Sequence, residues 1–165
     1  MKEIYFAGGC FWGVQKLFSP LPGVLKTKVG YVNGRKDIEP TYVRVCKGDT
    51  GYKECVYVQY DPEKISLQKL LDVYFYVIDP TVKNQQGNDV GSQYQTGIYY
   101  FEEDQQEIEN YVASIQNKYP KFETEILPFS NFVDAEDYHQ DYLLKNPTGY
   151  CHISPVTYEE VKKLI

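Results

Sequence analysis

Closely paired cysteines are missing from this chain: Cys10, Cys46, Cys55 and Cys151 are scattered along 165 residues and form no CxxC. A zinc ribbon or finger needs thiols at short spacing, so no structural metal is expected, and four cysteines at this length are too few for a disulfide-dense secreted scaffold. Long apolar runs are missing too. The opening "MKEIYFAGG" is too short for a signal peptide, and nothing reaches membrane-spanning length. The expectation is a cytoplasmic protein with free thiols and no membrane partner. No repeat, low-complexity tract or linker interrupts residues 1–165, which are expected to form one domain. Positive charge is in deficit, with a net charge of -6, which argues against a nucleic-acid partner.

What the chain does have is tyrosine, 17 of them, suited to half-buried faces and to pockets that hold small polar groups. Residues 4–7 read as a short buried strand ended by Gly8-Gly9, and 10–18 as a helix with Phe11, Val14 and Phe18 at helical spacing. Strands follow at 24–32 and 53–60, then a helix capped by Ser66, with Leu67, Leu70, Leu71, Tyr74 and Ile78 in one stripe. Residues 80–96 form a long polar loop, of a length that inside a compact domain is usually functional or disordered. A strand at 98–101, a helix at 103–118 and a strand at 122–127 complete the pattern. A mostly irregular tail follows, with short helices around 135–144 and from Tyr158. The class expected is α+β: a split βαβ (ferredoxin-like) sandwich, a mixed sheet with helices packed on it and a long irregular C-terminal segment.

Two residues stand out chemically. In "AGGCFWGVQ", Cys10 follows two glycines and opens a helix. Unpaired N–H groups and the positive end of the helix dipole favour thiolate there, and the glycines leave room for a substrate. Local chemistry leaves a second reading open, a core cysteine beside a turn. In "KECVYVQY", period-2 alternation puts Glu54 on one face with Val56 and Val58. Desolvation there would raise its pKa and hold a proton ready for donation; the other reading is an exposed strand end.

With these residues in view, the sequence resembles the A-type peptide methionine sulfoxide reductases. The segments that carry the likeness are "GGCFWG" at 8–13, "GDTGYKE" at 48–54, "GNDVGSQY" at 87–94, and "DYHQDYL" to "NPTGYC" at 137–151. The resemblance implies that Cys10 is the nucleophile and Glu54 the acid that protonates the sulfoxide oxygen. It implies that Tyr42 and Tyr94 are phenols bonded to that oxygen, that Phe11 and Trp12 receive the substrate methyl, and that Asp89 orients substrate and water. Cys151 is implied as the resolving thiol, thioredoxin as the reductant, and the S epimer of methionine sulfoxide, free or in proteins, as the substrate. No metal and no cofactor enter. A sulfoxide oxygen is a poor base, so such a site must hold thiolate beside a protonated acid. Attack leaves a sulfenic acid that a second thiol condenses to a disulfide.

Gln15 stands where the family often has glutamate, and "GYKE" replaces its usual "GHAE". No cysteine follows Cys151, so a two-cysteine cycle is expected, with Cys46 as the alternative resolver. Cys46 and Cys55 read as packing thiols. His139 is expected to hold the tail, His152 to lie in an exposed segment, and Asp104 to be solvated. Two other activities are weighed: a cysteine hydrolase pairing Cys10 with His139, and a non-catalytic redox sensor.

Overall fold

The computed structural model describes residues 1–165. Its centre is a mixed sheet built from β1 (Lys2–Ala7), β2 (Val24–Val32), β3 (Lys53–Tyr60), β6 (Gly97–Tyr100), β7 (Glu125–Pro128) and β8 (Phe132–Asp134), in the order β7-β6-β1-β3-β2-β8. Two further strands, β4 (Gln85–Gln86) and β5 (Asp89–Val90), form a separate small hairpin. β3 lies between β1 and β2 and runs antiparallel to both, β6 is antiparallel to β1, and β7 joins β6 in parallel. The helices are α1 (Phe11–Phe18), α2 (Tyr42–Val45), α3 (Leu67–Val77), α4 (Gln105–Gln116), α5 (Tyr142–Lys145) and α6 (Pro155–Val161).

The side-chain period of two decides what each strand gives to each face. Ile4 and Phe6 of β1, Val56, Val58 and Tyr60 of β3, and Ile98 and Tyr100 of β6 point into the main core. There they meet Phe11, Val14, Leu17 and Phe18 of α1 and Leu67, Leu70, Leu71, Tyr74 and Phe75 of α3. The Phe6 ring stacks on Phe18 with centroids 4.6 Å apart. Full burial of such a side chain contributes roughly 1.5–3 kcal/mol. Tyr5, Ala7, Val32, Cys55 and Tyr99 take the opposite face under Phe101, Phe129 and Phe132, so Cys55 packs as expected.

Departures from the expected elements are local. The last expected strand starts at Glu125 rather than 122, and 3-10 turns occupy Glu102–Asp104 and Asp137–His139. The tail is less irregular than its sequence reads: β8 pairs with the edge of β2, and Gln140 extends that attachment by bonding both backbone groups of Val29. α2 went unread because a single turn capped by the Thr41 side chain carries no periodic signal. Asp104, expected in solvent, is 2% exposed and paired with Lys2.

The end of β1 is tied down from above. The Tyr74 hydroxyl donates to the Ala7 carbonyl at 2.6 Å and accepts from the Gly97 N–H at 3.0 Å, inside a fully buried setting. Both backbone groups would lose their partner with the hydroxyl. Tyr74→Phe is therefore expected to lower the unfolding free energy by about 1–3 kcal/mol in urea titration. An unchanged unfolding midpoint would show that the clamp contributes nothing.

Candidate active site

β1 ends at Ala7, and the chain must turn sharply into α1. Gly9 makes the turn with φ +86°, a region costly for any side chain, and a Cβ there would lie 2.8 Å from Gln86 Cβ. Cys10 is thereby set at the N-cap of α1, 8% exposed. β3 brings Glu54 beneath it, across from Tyr31 in the β2 register. Glu54 is 1% exposed, as period-2 reading of its strand requires. Its Oε1 accepts the Phe11 N–H at 3.1 Å, and its Oε2 has no partner. The acid thus hangs from the residue next to the thiol, with one oxygen free.

Burial pushes the Glu54 carboxyl up to about 8, against the Phe11 N–H, which favours the anion. The thiol needs a correction. The helix N-terminus led to an expectation of lowered pKa, but burial raises Cys10 well above the ordinary thiol value, and the Glu54 charge adds to it. The Trp12 and Gly13 N–H groups do face the sulfur and favour thiolate; they are outweighed. The resting site therefore holds two neutral acids, a thiol and a carboxylic acid.

The phenols close the site on the side of α2. Tyr42 and Tyr94 are half-buried, and burial followed by the Glu54 charge keeps both hydroxyls protonated. Tyr94 also feels Cys10 and Tyr42, so the four groups share one field. Phe11 is buried, while the Trp12 ring stacks on Tyr142 at 3.8 Å and donates its indole N–H to His139 Nδ1 at 3.0 Å. Asp89 lies at the rim, its Oδ1 bonded by the Tyr150 hydroxyl. Cys151 is half-buried, and a Cβ on Gly13 would stand 3.2 Å from its sulfur. All eight residues singled out in the sequence therefore gather around the N-terminus of α1.

Three other side chains belong to this region: His139, Glu136, which no sequence signal marks, and His152, whose exposure was misread. His139, 2% exposed, sits among the rings of Phe11, Trp12, Tyr42 and Tyr138 and holds the tail by a hydrogen bond, as expected, accepting the indole N–H of Trp12 from α1. Burial lowers its pKa, and since Nδ1 accepts from the indole, its proton rests on Nε2. Glu136 accepts from the Tyr31 hydroxyl and the Tyr42 N–H, which anchors Tyr42. The side chain of His152 is only 5% exposed, contrary to the exposed tail expected for it. Cys46 moves the other way: it is exposed rather than a packing thiol. Neither histidine environment had a local signal, because both depend on tail residues docking against α1.

With Nδ1 engaged by Trp12, His139 is not placed as the base a hydrolase would require. A groove of about 1230 Å³ lies beyond Trp12 among Leu17, Leu21, Ile65 and Val161 and includes neither Cys10 nor Glu54. No group of three or more His, Cys, Asp or Glu residues is arranged to hold a metal ion. No helix is long and apolar enough to cross a membrane.

A thiol beside a buried acid and two phenols is an arrangement that thiol redox chemistry can use. A family model described as "Peptide methionine sulfoxide reductase" matches residues 2–164. The chain is 56% identical over 157 residues to the peptide methionine sulfoxide reductase MsrA of Clostridium acetobutylicum, covering 93% of this chain and 95% of that protein. It is 53% identical over 155 residues to the MsrA of Mycoplasma pneumoniae, covering 93% and 98%. Methionine sulfoxide reductase A of Corynebacterium diphtheriae superposes with a TM-score of 0.86 at 38% identity, over 91% of this chain and 77% of that one. Reduced Mxr1 of Saccharomyces cerevisiae gives 0.84 at 41% identity, over 91% and 88%. The chain belongs to the peptide methionine sulfoxide reductase family and is an oxidoreductase of its A type.

The order of the two acids is testable without substrate. Alkylation of Cys10 by iodoacetamide is expected to show a pH midpoint above the ordinary 9.0, and Glu54→Gln to bring that midpoint down by removing the neighbouring charge. A midpoint below 9.0 in the unaltered protein would contradict the burial argument.

Proposed function

We propose that residues 1–165 act as one unit that reduces the S epimer of methionine sulfoxide, free or in proteins, to methionine, in a cytoplasmic protein-repair role under oxidative stress. Cys10 attacks the sulfoxide sulfur while Glu54 gives its proton to the oxygen, whose bond to the methionine sulfur breaks and which ends as the hydroxyl on the Cys10 sulfur. The thiol proton of Cys10 replaces the one Glu54 gives up, so the carboxyl returns to its neutral state and no charge is stranded in the buried site. Tyr42 and Tyr94, kept protonated, donate to the oxygen as charge develops on it. Phe11 and Trp12 form the apolar wall for the methyl group, and Asp89 orients substrate and water from the rim.

Methionine leaves with Cys10 as a sulfenic acid. Cys151 then forms the S–S bond and the hydroxyl departs as water. A dithiol reduces the disulfide by exchange, and thioredoxin is the partner proposed. A solved structure of Mxr1 in complex with Trx2, 29% identical with a TM-score of 0.59, supports that choice. The strand order β6-β1-β3-β2, with α1 and α3 on one face, supports placing the central strands in the split βαβ, ferredoxin-like class.

One observation carries this reading: a carboxyl 1% exposed, hung by one oxygen from the residue after the thiol, with its other oxygen unpartnered. Methionine release is expected to be abolished in Cys10→Ser and reduced about 10²- to 10⁴-fold in Glu54→Gln. In the unaltered protein it should fall as pH rises through about 8, because ionised Glu54 has no proton to give and its charge opposes thiolate. Cys151→Ser should release one methionine per enzyme and then stall with thioredoxin. Methionine release by Cys10→Ser at the unaltered rate would end the proposal.

A further inference from the structure

Tyr150 and His152 flank Cys151, and both reach the same carboxylate. The Tyr150 hydroxyl donates to Asp89 Oδ1 at 2.8 Å, and His152 Nδ1 lies 3.7 Å from Asp89 Oδ2. The imidazole is 5% exposed, the Asp89 side chain is 12% exposed, and neither His152 nitrogen nor Asp89 Oδ2 has a hydrogen-bond partner. The ring rests on the two glycines that bracket Cys10: a Cβ on Gly9 would lie 3.2 Å from His152 Nε2, and one on Gly13 3.2 Å from His152 Nδ1. Part of the reason "GGCFWG" needs its glycines is thus a side chain more than 130 residues away.

The thiol has its own tether. Tyr158, in the middle of α6, donates its hydroxyl to the Gly13 carbonyl at 3.0 Å, and the same oxygen is 3.0 Å from Cys151 Sγ. With the phenol proton committed to Gly13, the thiol S–H faces two acceptors, the Tyr158 oxygen at 3.0 Å and the Ile153 carbonyl at 3.4 Å. Cys151 is therefore moored to the third residue past Cys10 while both cysteines are still reduced.

We infer that Tyr150, His152 and Tyr158 are positioning residues for the resolving step: through Asp89 and the Gly13 carbonyl they hold the Cys151 sulfur against the N-terminus of α1 before any sulfenic acid exists. This rests on the proposed role of Cys151. In the step they serve, the Cys151 sulfur bonds to the Cys10 sulfur, the S–O bond breaks, and the thiol proton leaves with the hydroxyl as water, so no further oxidant or reductant is required. Fixing two reactants in place removes the search by a mobile tail, and small misplacements cost large factors in rate. Burial also keeps His152 below the ordinary histidine pKa, against the pull of Asp89, so the clasp works with a neutral ring.

The test separates two rates in one enzyme. After a single addition of methionine sulfoxide without reductant, methionine release and Cys10–Cys151 disulfide formation are followed in the unaltered protein, His152→Ala and Tyr158→Phe. Tyr158→Phe retains the ring beneath Lys16 and deletes only the hydroxyl. Methionine release should be unchanged in both variants, whereas disulfide formation should slow about tenfold to a hundredfold, with sulfenic acid accumulating as a dimedone adduct. Equal slowing of both steps would mean a general structural role, and disulfide formation at the unaltered rate in either variant would overturn the clasp. Methionine release without any Cys10–Cys151 disulfide in the unaltered protein would instead remove the resolving role itself, and the clasp with it.

Discussion

The hydrogen bond from the Phe11 N–H to Glu54 Oε1 joins the first turn of α1 to the first residues of β3, and most of the site follows from it. It holds a carboxyl in apolar surroundings beside a thiol, where burial keeps both protonated. A single N–H donor favours the carboxylate, yet the cost of placing a charge there is larger and lifts the acid to about 8. Around that pair the sheet and α1 provide rigidity, and the tail closes the space with Tyr142, His139 and Cys151.

The raised pKa values of Glu54 and Cys10 suit the proposed chemistry better than a permanently ionised nucleophile would. A thiolate stabilised at rest would be a poorer nucleophile and would leave a fixed charge in the buried site before any substrate arrived. In the proposed reaction two neutral acids, by contrast, exchange protons within the site once a sulfoxide oxygen arrives to accept one. The phenols of Tyr42 and Tyr94 remain donors for the same reason, because burial and the Glu54 charge both oppose their ionisation.

What the sequence made legible was whatever repeats at short range. Alternation in β3 put Glu54 with the valines and Cys55 on the other face, and the Gly-Gly break put Cys10 at the start of α1. The phenols, the apolar wall and Cys151 were reached through resemblance, since nothing local distinguishes Tyr42 or Tyr94 among 17 tyrosines. The acidity of Cys10 was misjudged because the helix-dipole argument counts backbone N–H groups and omits burial and the charge opposite. The aromatic surroundings of His139 and the burial of His152 were missed for a different reason. Their surroundings are assembled from α1, the β4–β5 hairpin and the tail, which meet only in three dimensions.

Direct observation of the Glu54 carboxyl tests the central claim most sharply. In protein labelled with ¹³C-glutamate, side-chain carboxyl resonances followed from pH 4 to 10 should include one that titrates near 8 and is missing from Glu54→Gln. If every glutamate carboxyl, Glu54 included, ionises below about 5, as unperturbed carboxylic acids do, then the buried proton donor does not exist and the account built on it is wrong.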